Sequence, residues 1–268
     1  MAEQSNGYVN IGASFTEFKN FKKNIKCYIG DKDADMFLDY LKGLSESQDG
    51  FYFAYVVDED KYLARNFWAD THSVTFATAL VDHENDVSFI WVFKKFLDCM
   101  GNKEPQCILT DKDPAIKLGV CSVFKKVRHR YYMWHIMKKL TDKVGLQICK
   151  ETDFVERICA FVWDTDLEPL EFKEKWSQVI SDFELNNNTW LTYMYGKRHK
   201  WIRAYFRDLT LGCLLKTTQR SENKNSFFKR FESIDDTLVQ FWLHFQSAME
   251  QQRYNQKFLD VASDSALP

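Results

Sequence analysis

The chain has 268 residues, of which 45% are hydrophobic and 28% charged, and its 36 lysines and arginines nearly balance 38 aspartates and glutamates. A disordered chain has few large apolar residues and a strong charge imbalance, so this composition excludes one, and any contact with nucleic acid has to come from local basic patches. No apolar run approaches the roughly 20 residues of a membrane helix, and residues 1–10 lack the apolar core of a secretory signal.

Residues that break helices are scarce, and large rings are abundant. The chain contains 10 glycines and 4 prolines, whereas 16% of its residues are aromatic. This balance favours long helices around an aromatic core. The 7 cysteines include no C-x-x-C pair. Buried, reduced thiols are therefore expected rather than a disulfide framework or a zinc finger.

The first predicted elements are a helix and a hairpin. Apolar residues at helical spacing, from Met36 to Leu44, follow a candidate N-cap at Asp33. Residues 51–57 are aromatic and β-branched, and they predict a buried strand. A polar turn over 58–61 leads to a second predicted strand over 62–69.

Helices and strands alternate in the middle of the chain. Ser88 is the expected N-cap of a helix that stops at Gly101. Residues 106–110 predict a strand, and the pair Asp113-Pro114 is expected to open a further helix. Another strand is predicted over 127–131, and a helix over 134–144.

From Glu151 onward the pattern is almost wholly helical. One apolar stripe includes Phe154 and Ile158, and Pro169 starts the next helix. Ser221 is expected to cap a helix, the last helix is expected to begin at Asp235, and the tail from residue 263 is expected to be disordered. The predicted fold class is therefore mixed α/β with a mostly helical C-terminal half.

Asp111 is the first candidate for chemistry. It ends a predicted buried strand, where α/β folds commonly place ligands and catalytic groups. A structural role remains the alternative for it. Asp113 is explained by the helix start alone.

Two further sets of polar residues have both a functional and a structural interpretation. His129 and His135, surrounded by aromatic and cationic residues, could bind a metal or a phosphate, or could be structural histidines. Glu222 follows Ser221, so a favourable interaction with the helix dipole explains it without catalysis.

Basic residues interleave with aromatic ones at several points. The candidates for contact with a DNA backbone are Lys125, Lys126, Arg128, Arg130, Arg220 and Lys224. A further basic stretch covers residues 197–200, with Arg203 and Arg207 beyond it. A solvated surface is the alternative for all of them. The markers of most familiar enzymes, such as a glycine-rich phosphate loop, are missing.

Several segments, in this order, resemble the plant FAR-RED IMPAIRED RESPONSE / FAR-RED ELONGATED HYPOCOTYL family, which derives from Mutator-like element (MULE) transposases. The segments are 7–12 (GYVNIG), 29–35 (IGDKDAD), 51–53 (FYF), 57–60 (VDED), 67–70 (FWAD), 88–93 (SFIWVF), 108–111 (ILTD), 129–130 (HR), 134–136 (WHI), 220–222 (RSE) and 225–228 (NSFF). Their combination covers nearly the whole chain.

The resemblance implies a truncated RNase H-like (DDE transposase) core with a large helical insertion. In active ancestors three acidic side chains hold two divalent metals for strand transfer. Asp111 matches the second acid and Glu222 the third. The strand pair with the first acid is missing, because residues 67–71 run directly into residues 72–76. Tyr132 stands where the family has the cysteine of a C-x-x-H pair with His135, so His135 is the remnant of a metal site.

The resemblance also divides the chain. Residues 1–65 precede the core, 66–135 are a core remnant, 136–215 are the helical insertion, 216–262 are C-terminal core helices, and 263–268 are a disordered tail. The zinc-binding modules of the family have no counterpart before Gly7 or after Asp260.

The expected function is that of a catalytically inactive, transposase-derived nuclear protein related to light-signalling transcription regulators. Neither a divalent metal pair nor zinc is expected as a cofactor. The expected partners are DNA, bound weakly, and related family members or transcription regulators, and neither a membrane nor a small-molecule substrate is expected. One alternative is an active metal-dependent transposase in which Asp70 or Asp82 replaces the first acid. The other is a decayed gene copy, or a gene model that skipped an exon.

Overall fold

A computed structural model of the chain describes residues 16–17, 20, 23–24, 28–60, 62–70, 77–164, 166–209 and 236–264. For residues 31, 70 and 255–264 the description covers the backbone. The predicted cap at Ser221 and the candidates Arg220, Glu222 and Lys224 lie outside these ranges.

Ten helices and five strands are the principal elements of the described ranges. The helices are α1 Asp33–Ser47, α2 Asp86–Cys99, α3 Pro114–Val123, α4 Met133–Lys138, α5 Leu140–Val144, α6 Leu146–Glu151, α7 Phe154–Val162, α8 Pro169–Asp182, α9 Thr189–Gly196 and α10 Leu238–Asp264. The strands are β1 Phe51–Val57, β2 Leu63–Asp70, β3 Ala77–Val81, β4 Cys107–Thr110 and β5 Arg128–Tyr131. The predicted mixed α/β class is confirmed.

The chain divides into two compact units, one of residues 1–80 with 226–268 and one of residues 81–225. The boundaries between the two units fall inside two of the segments that the family resemblance predicts, 66–135 and 216–262. Within the described ranges, no helix is both long and apolar enough to cross a membrane.

A three-stranded sheet in the order β1-β2-β3 lies in the first unit, apart from Val81 at the end of β3. β1 and β2 pair antiparallel from Phe51 opposite Asp70 to Val56 opposite Arg65, and the register shifts at the next pair. The Asp58 carboxylate fixes the turn between them, because it accepts hydrogen bonds from the backbone N–H groups of Asp60 and Tyr62, at 3.0 and 2.8 Å. The predicted hairpin is confirmed.

The core of the first unit is aromatic. Phe37 and Leu41 of α1 are buried with Trp68 of β2 and Trp242 of α10. The two indole rings pack edge to face with centroids 5.4 Å apart. The periodicities predicted in the first and last helices mark their buried faces in part: Phe37, Leu41, Trp242 and Met249 are buried, whereas Met36 and Tyr40 are exposed.

Two details of these helices differ from the sequence-based expectation. Asp33 was expected to cap α1, but it is the first residue of that helix, and its carboxylate accepts the Leu238 and Val239 N–H groups of α10, at 2.6 and 3.0 Å. The last helix accordingly starts at Leu238 rather than Asp235, and it runs to Asp264, past the expected start of the tail.

The second unit holds the parallel pair β4 and β5, in register from Cys107 opposite Arg128 to Thr110 opposite Tyr131. α2 and α3 pack together at Gly119, where a Cβ atom would stand 3.0 Å from the Phe89 Cβ. The predicted N-cap at Ser88 is wrong. Asn85 caps α2, and its Oδ1 accepts the Ser88 N–H at 2.9 Å.

Helices α4 to α9 enclose the larger core of the second unit. Its buried side chains include Phe154, Ile158, Phe172, Trp176 and Met194. Phe161 and Phe172 pack edge to face with centroids 5.6 Å apart. The helix predicted over 134–144 is divided into α4 and α5.

Candidate functional site: the Asp111–His135 groove

Asp111 and His135 are brought together by the parallel pairing of β4 and β5. Parallel strands end at the same edge of their sheet, so the residues that follow them are neighbours. The Tyr132 N–H donates to the Thr110 carbonyl at 2.9 Å and extends the pairing to the strand ends. Asp111 follows β4 directly, and α4 begins at Met133, which places His135 in its first turn.

The two side chains form one pair. The His135 Nε2 lies 2.9 Å from the Asp111 Oδ1, and the side chains are 37% and 52% exposed. Sequence reasoning singled out both residues separately, as a second acid and as a remnant of a metal site. The structure combines them into a single partly exposed contact, and a contact of this kind contributes at most about 1 kcal/mol to stability.

A groove of about 340 Å³ surrounds the pair. Lys112, Lys139 and Lys143 line it together with Trp190. The Lys112 Nζ lies 4.3 Å from the centre of the exposed Tyr193 ring, a cation–π contact. We refer to Lys112, Lys139 and Lys143 as the groove lysines.

Asp113 also lines the groove, but its carboxylate is engaged by the backbone. It accepts the Ala115 and Ile116 N–H groups at 2.8 and 3.0 Å and caps α3, with Pro114 in the first turn. The prediction that Asp113 is a helix cap is confirmed.

The described residues do not fit the metal pair that the family resemblance implies for active ancestors. Such a pair needs a carboxylate that bridges the ions and further acidic ligands. No group of three potential metal ligands among His, Cys, Asp and Glu occurs in the described ranges. Asp82, a possible substitute first acid, binds its neighbour His83 through both carboxylate oxygens. No chemical step through a metal pair follows from these residues.

His129 is a structural histidine. It is buried, and its Nε2 lies 2.7 Å from the Thr110 Oγ1, which itself donates to the Asp111 carbonyl at 2.8 Å. Because the Thr110 hydroxyl uses its single proton in that bond, its oxygen accepts a hydrogen bond from His129. The imidazole is therefore neutral, with its proton on Nε2. Burial, together with the smaller effect of the charges of Lys200 and Lys117, lowers the pKa of His129 to about 4.

Two of the predicted DNA-contacting cations are engaged inside the second unit. Arg130 is 3% exposed and lies over the Phe206 ring, with its Cζ 5.3 Å from the ring centre. Arg128 forms a salt bridge with Asp208 and lies over the same ring at 4.8 Å. The Arg128 guanidinium lowers the pKa of the Asp208 carboxyl. In this conformation Arg130 has no access to a DNA backbone.

Lys125 and Lys126 are exposed, and their backbone is fixed by Glu104. The Lys126 N–H donates to the Glu104 Oε2 at 2.7 Å, and the Lys125 N–H donates to both carboxylate oxygens at 3.1 Å. These hydrogen bonds lower the pKa of the Glu104 carboxyl. Both ammonium groups remain candidates for contact with phosphate.

Sequence reasoning missed the groove lysines and Trp190. A partial signal was present, because Lys139 and Lys143 are four residues apart in a segment that was predicted to be helical. Nothing in the sequence connected that segment with Lys112 or with Trp190, which α9 supplies.

The region that contains this site is similar to known proteins. Residues 64–139 match the MULE transposase domain, and this match includes both Asp111 and His135. The chain is also similar to Protein FAR-RED IMPAIRED RESPONSE 1 of Arabidopsis thaliana, with 28% identity over 300 residues, 96% of this chain and 36% of that protein. Protein FAR1-RELATED SEQUENCE 5 of the same plant is 26% identical over 288 residues, which cover 93% of this chain and 36% of that protein.

These matches confirm the resemblance that the sequence motifs predicted. The chain spans about a third of the length of these curated relatives.

Proposed function

We propose that this chain is a transposase-derived nuclear regulator that lacks strand-transfer activity and acts through contacts with proteins and with the DNA backbone. Its core is RNase H-like in origin, and β4 and β5 are the surviving parallel strands of that core. Similarity to FAR-RED IMPAIRED RESPONSE 1 over most of the chain supports the proposal.

The contact between Asp111 and His135 is the observation that supports a loss of catalysis. Asp111 matches the second acid, and its Oδ1 is engaged by the His135 Nε2 at 2.9 Å. A catalytic metal pair would need further carboxylates beside it, and the nearest one in the sequence, that of Asp113, is used as a helix cap.

Contact with DNA would use exposed lysines. The groove lysines, Lys125 and Lys126 are all exposed, and ammonium groups bind phosphates without regard to sequence. The net charge of −2 keeps this binding weak and strongly dependent on salt. Related family members or transcription regulators are the proposed protein partners.

A nicking and strand-transfer assay with the full chain tests the loss of catalysis. We expect no cleavage of supercoiled plasmid in 5 to 10 mM Mg²⁺ or Mn²⁺, about the usual range for such sites. Metal-dependent cleavage that both Asp111→Asn and Glu222→Gln abolish would establish the alternative, an active transposase. Sequencing the transcript across the Thr71–His72 junction shows whether the missing strand pair is truly absent.

Fluorescence anisotropy with a short DNA duplex tests the backbone contact. Replacing the three groove lysines with glutamine should weaken binding to all DNA sequences alike. It should also reduce the slope of log K against log salt by about 0.9 for each phosphate that a lysine no longer neutralises. Lys150→Gln is the matched control, because Lys150 is exposed on α6 and does not line the groove. Equal weakening in both variants would contradict a role for the groove.

A further inference from the structure

A second groove adjoins the groove of the candidate site. Its volume is about 610 Å³, and the side chains of Trp190 and Tyr193 belong to its lining. Lys143 and Trp190 line both grooves, so the two form one continuous surface on the second unit. We refer to this surface as the double groove.

Asn188 fixes the wall that the two grooves share. Its Oδ1 accepts the Leu191 N–H at 2.9 Å and caps α9, while its Nδ2 donates to the Lys143 carbonyl at 3.0 Å. One side chain thus joins the end of α5 to the start of α9, and these two helices supply Lys143 and Trp190. The shared wall is therefore held in place by hydrogen bonds of the chain itself.

Two aromatic side chains of the double groove are accessible to solvent. Tyr193 is 49% exposed, and Trp190 is half-buried, in contact with the core of the second unit. An accessible ring beside cationic groups is a surface on which an unpaired nucleic-acid base can stack. The bases of a duplex already stack on one another, so this contact distinguishes a single strand from a duplex.

The charges of the double groove are balanced. The three groove lysines are accompanied by the carboxylates of Asp111, Asp113 and Asp142. A duplex carries one negative charge per about 1.7 Å of its axis and is bound mainly through phosphates, which a surface without excess positive charge does not favour. A single strand has about half this charge density, and the amino groups of its unpaired bases can donate to carboxylates.

We propose that the double groove binds single-stranded DNA in preference to duplex DNA. The groove lysines contact phosphates, and the rings of Tyr193 and Trp190 stack on unpaired bases. The Lys112 Nζ lies 4.3 Å from the centre of the Tyr193 ring, so a phosphate contact and a stacking surface are adjacent. This inference rests on the proposed contact with DNA and specifies the form of DNA that is bound.

Fluorescence anisotropy with the full chain compares the two forms of DNA. The probes are a labelled single strand of about 12 nucleotides, which is within the usual range of single-strand sites, and the duplex that it forms with its complement. We expect the single strand to bind at least about tenfold more tightly, a factor that corresponds to about 1.4 kcal/mol. Equal or tighter binding of the duplex would overturn the inference but leave the proposed contact with DNA intact.

The remaining outcomes of this comparison are also decisive. Failure of both forms to bind would contradict the proposed contact with DNA, and the inference would fail with it. Tighter binding of an RNA strand of the same sequence would overturn the assignment to DNA.

Variants of Tyr193 separate stacking from charge. Tyr193→Ser should weaken single-strand binding about tenfold and leave duplex binding unchanged, because it removes a ring and no charge. Tyr193→Phe retains the ring and should bind like the unaltered chain, whereas Lys139→Gln should weaken the binding of both forms. Tyr254→Ser is the matched control, because Tyr254 is 66% exposed and lies in the other unit. Unchanged single-strand binding in Tyr193→Ser would overturn the role of this ring.

Photochemical crosslinking locates the bound strand in the unaltered chain and does not depend on whether a variant folds. A single strand that carries iodouracil is irradiated in the complex, and the attached residue is identified by mass spectrometry. We expect attachment at Tyr193 or Trp190, and a duplex in excess should not prevent it. Attachment only at residues outside the double groove would overturn the site.

Discussion

The Asp111 Oδ1 lies 2.9 Å from the His135 Nε2, so the residue that the family resemblance predicts as a catalytic acid is in contact with an imidazole of the same chain. The contact depends on β4 and β5 ending at one edge of their sheet. About half of the Asp111 side chain remains exposed to water.

Divalent metal should therefore not stabilise the chain through Asp111. An ion present at 100 times its Kd would add about 2.7 kcal/mol to the free energy of unfolding. We expect thermal unfolding of the unaltered chain and of Asp111→Asn to respond identically to 10 mM Mg²⁺ or Mn²⁺, roughly the amount that saturates a functional site. The substitution itself should change the free energy of unfolding by less than about 1 kcal/mol, because the pair is partly exposed.

Asp98→Asn is the control for the metal experiment, because Asp98 forms an exposed ion pair with Lys95 outside the groove. A rise in melting temperature with metal that disappears in Asp111→Asn and persists in Asp98→Asn would contradict the prediction and support a retained metal site.

Burial of His129 should make stability fall in mild acid. Its pKa is about 4 in the folded chain and near 6.5 in the unfolded chain, so the unfolded chain binds more protons between these values. The stabilising effect of the neutral histidine is complete above pH 6.5 and is lost as the pH falls towards 4. The full loss is about 3 kcal/mol, at 1.36 kcal/mol per pKa unit.

Carboxylates also titrate in the lower part of this pH range and change the free energy of unfolding. The contribution of His129 is therefore measured as the difference in this free energy between the unaltered chain and a variant without the histidine. Urea unfolding of the unaltered chain and of His129→Gln from pH 7.5 to 4, roughly the window of the histidine, isolates its contribution. The two stability curves should converge as the pH falls. Parallel curves would show that His129 does not titrate abnormally.

Local sequence signals predicted most elements of the fold. The hairpin of β1 and β2, the strands β4 and β5, and the helix that begins at Pro114 all follow from periodicity or from a cap adjacent in sequence. Two of the errors concern caps. Ser88 was expected to cap α2, but that side chain is buried and Asn85 supplies the cap. Two polar residues close in sequence are equally good candidates, and packing decides between them.

The site was only half predictable for a similar reason. Asp111 and His135 each stand out by residue type, but their contact depends on the parallel register of two strands. The groove lysines and Trp190 come from the β4–α3 turn, the junction between α4 and α5, α5 itself, and α9, and only the tertiary fold brings these segments together. Long-range pairing of this kind leaves no periodic pattern in the sequence.

Asp33 should stabilise a helix that is distant in sequence. Its carboxylate accepts two N–H groups at the start of α10, where the helix dipole also favours a negative charge. We expect Asp33→Ala to lower the free energy of unfolding by about 1–2 kcal/mol. Asp33→Asn should cost less because an amide oxygen still accepts one hydrogen bond.

Asp39→Ala, an exposed change on the same α1 helix, serves as its control in urea unfolding. Proteolysis gives an independent measurement, because loosening the start of α10 should expose the chain near Leu238 to cleavage. Equal stability of Asp33→Ala and Asp39→Ala would show that the contact between Asp33 and α10 contributes nothing.

Two asparagines should respond to substitution in opposite directions. Asn66 in β2 is 0% exposed, and in the described structure neither its Oδ1 nor its Nδ2 has a hydrogen-bond partner. A buried amide without partners costs about 1–3 kcal/mol, and valine favours strands, so Asn66→Val should raise the free energy of unfolding by about that amount. Asn85→Ala removes a working cap and should lower it by about 1 kcal/mol.

Urea unfolding followed by a probe in each unit measures the two changes separately, because the two asparagines lie in different units. Trp68 and Trp242 report on the first unit, while Trp176 and Trp201 report on the second. A loss of stability in Asn66→Val would contradict the prediction, since it would mean that the buried amide has polar partners in solution that offset the cost of its burial.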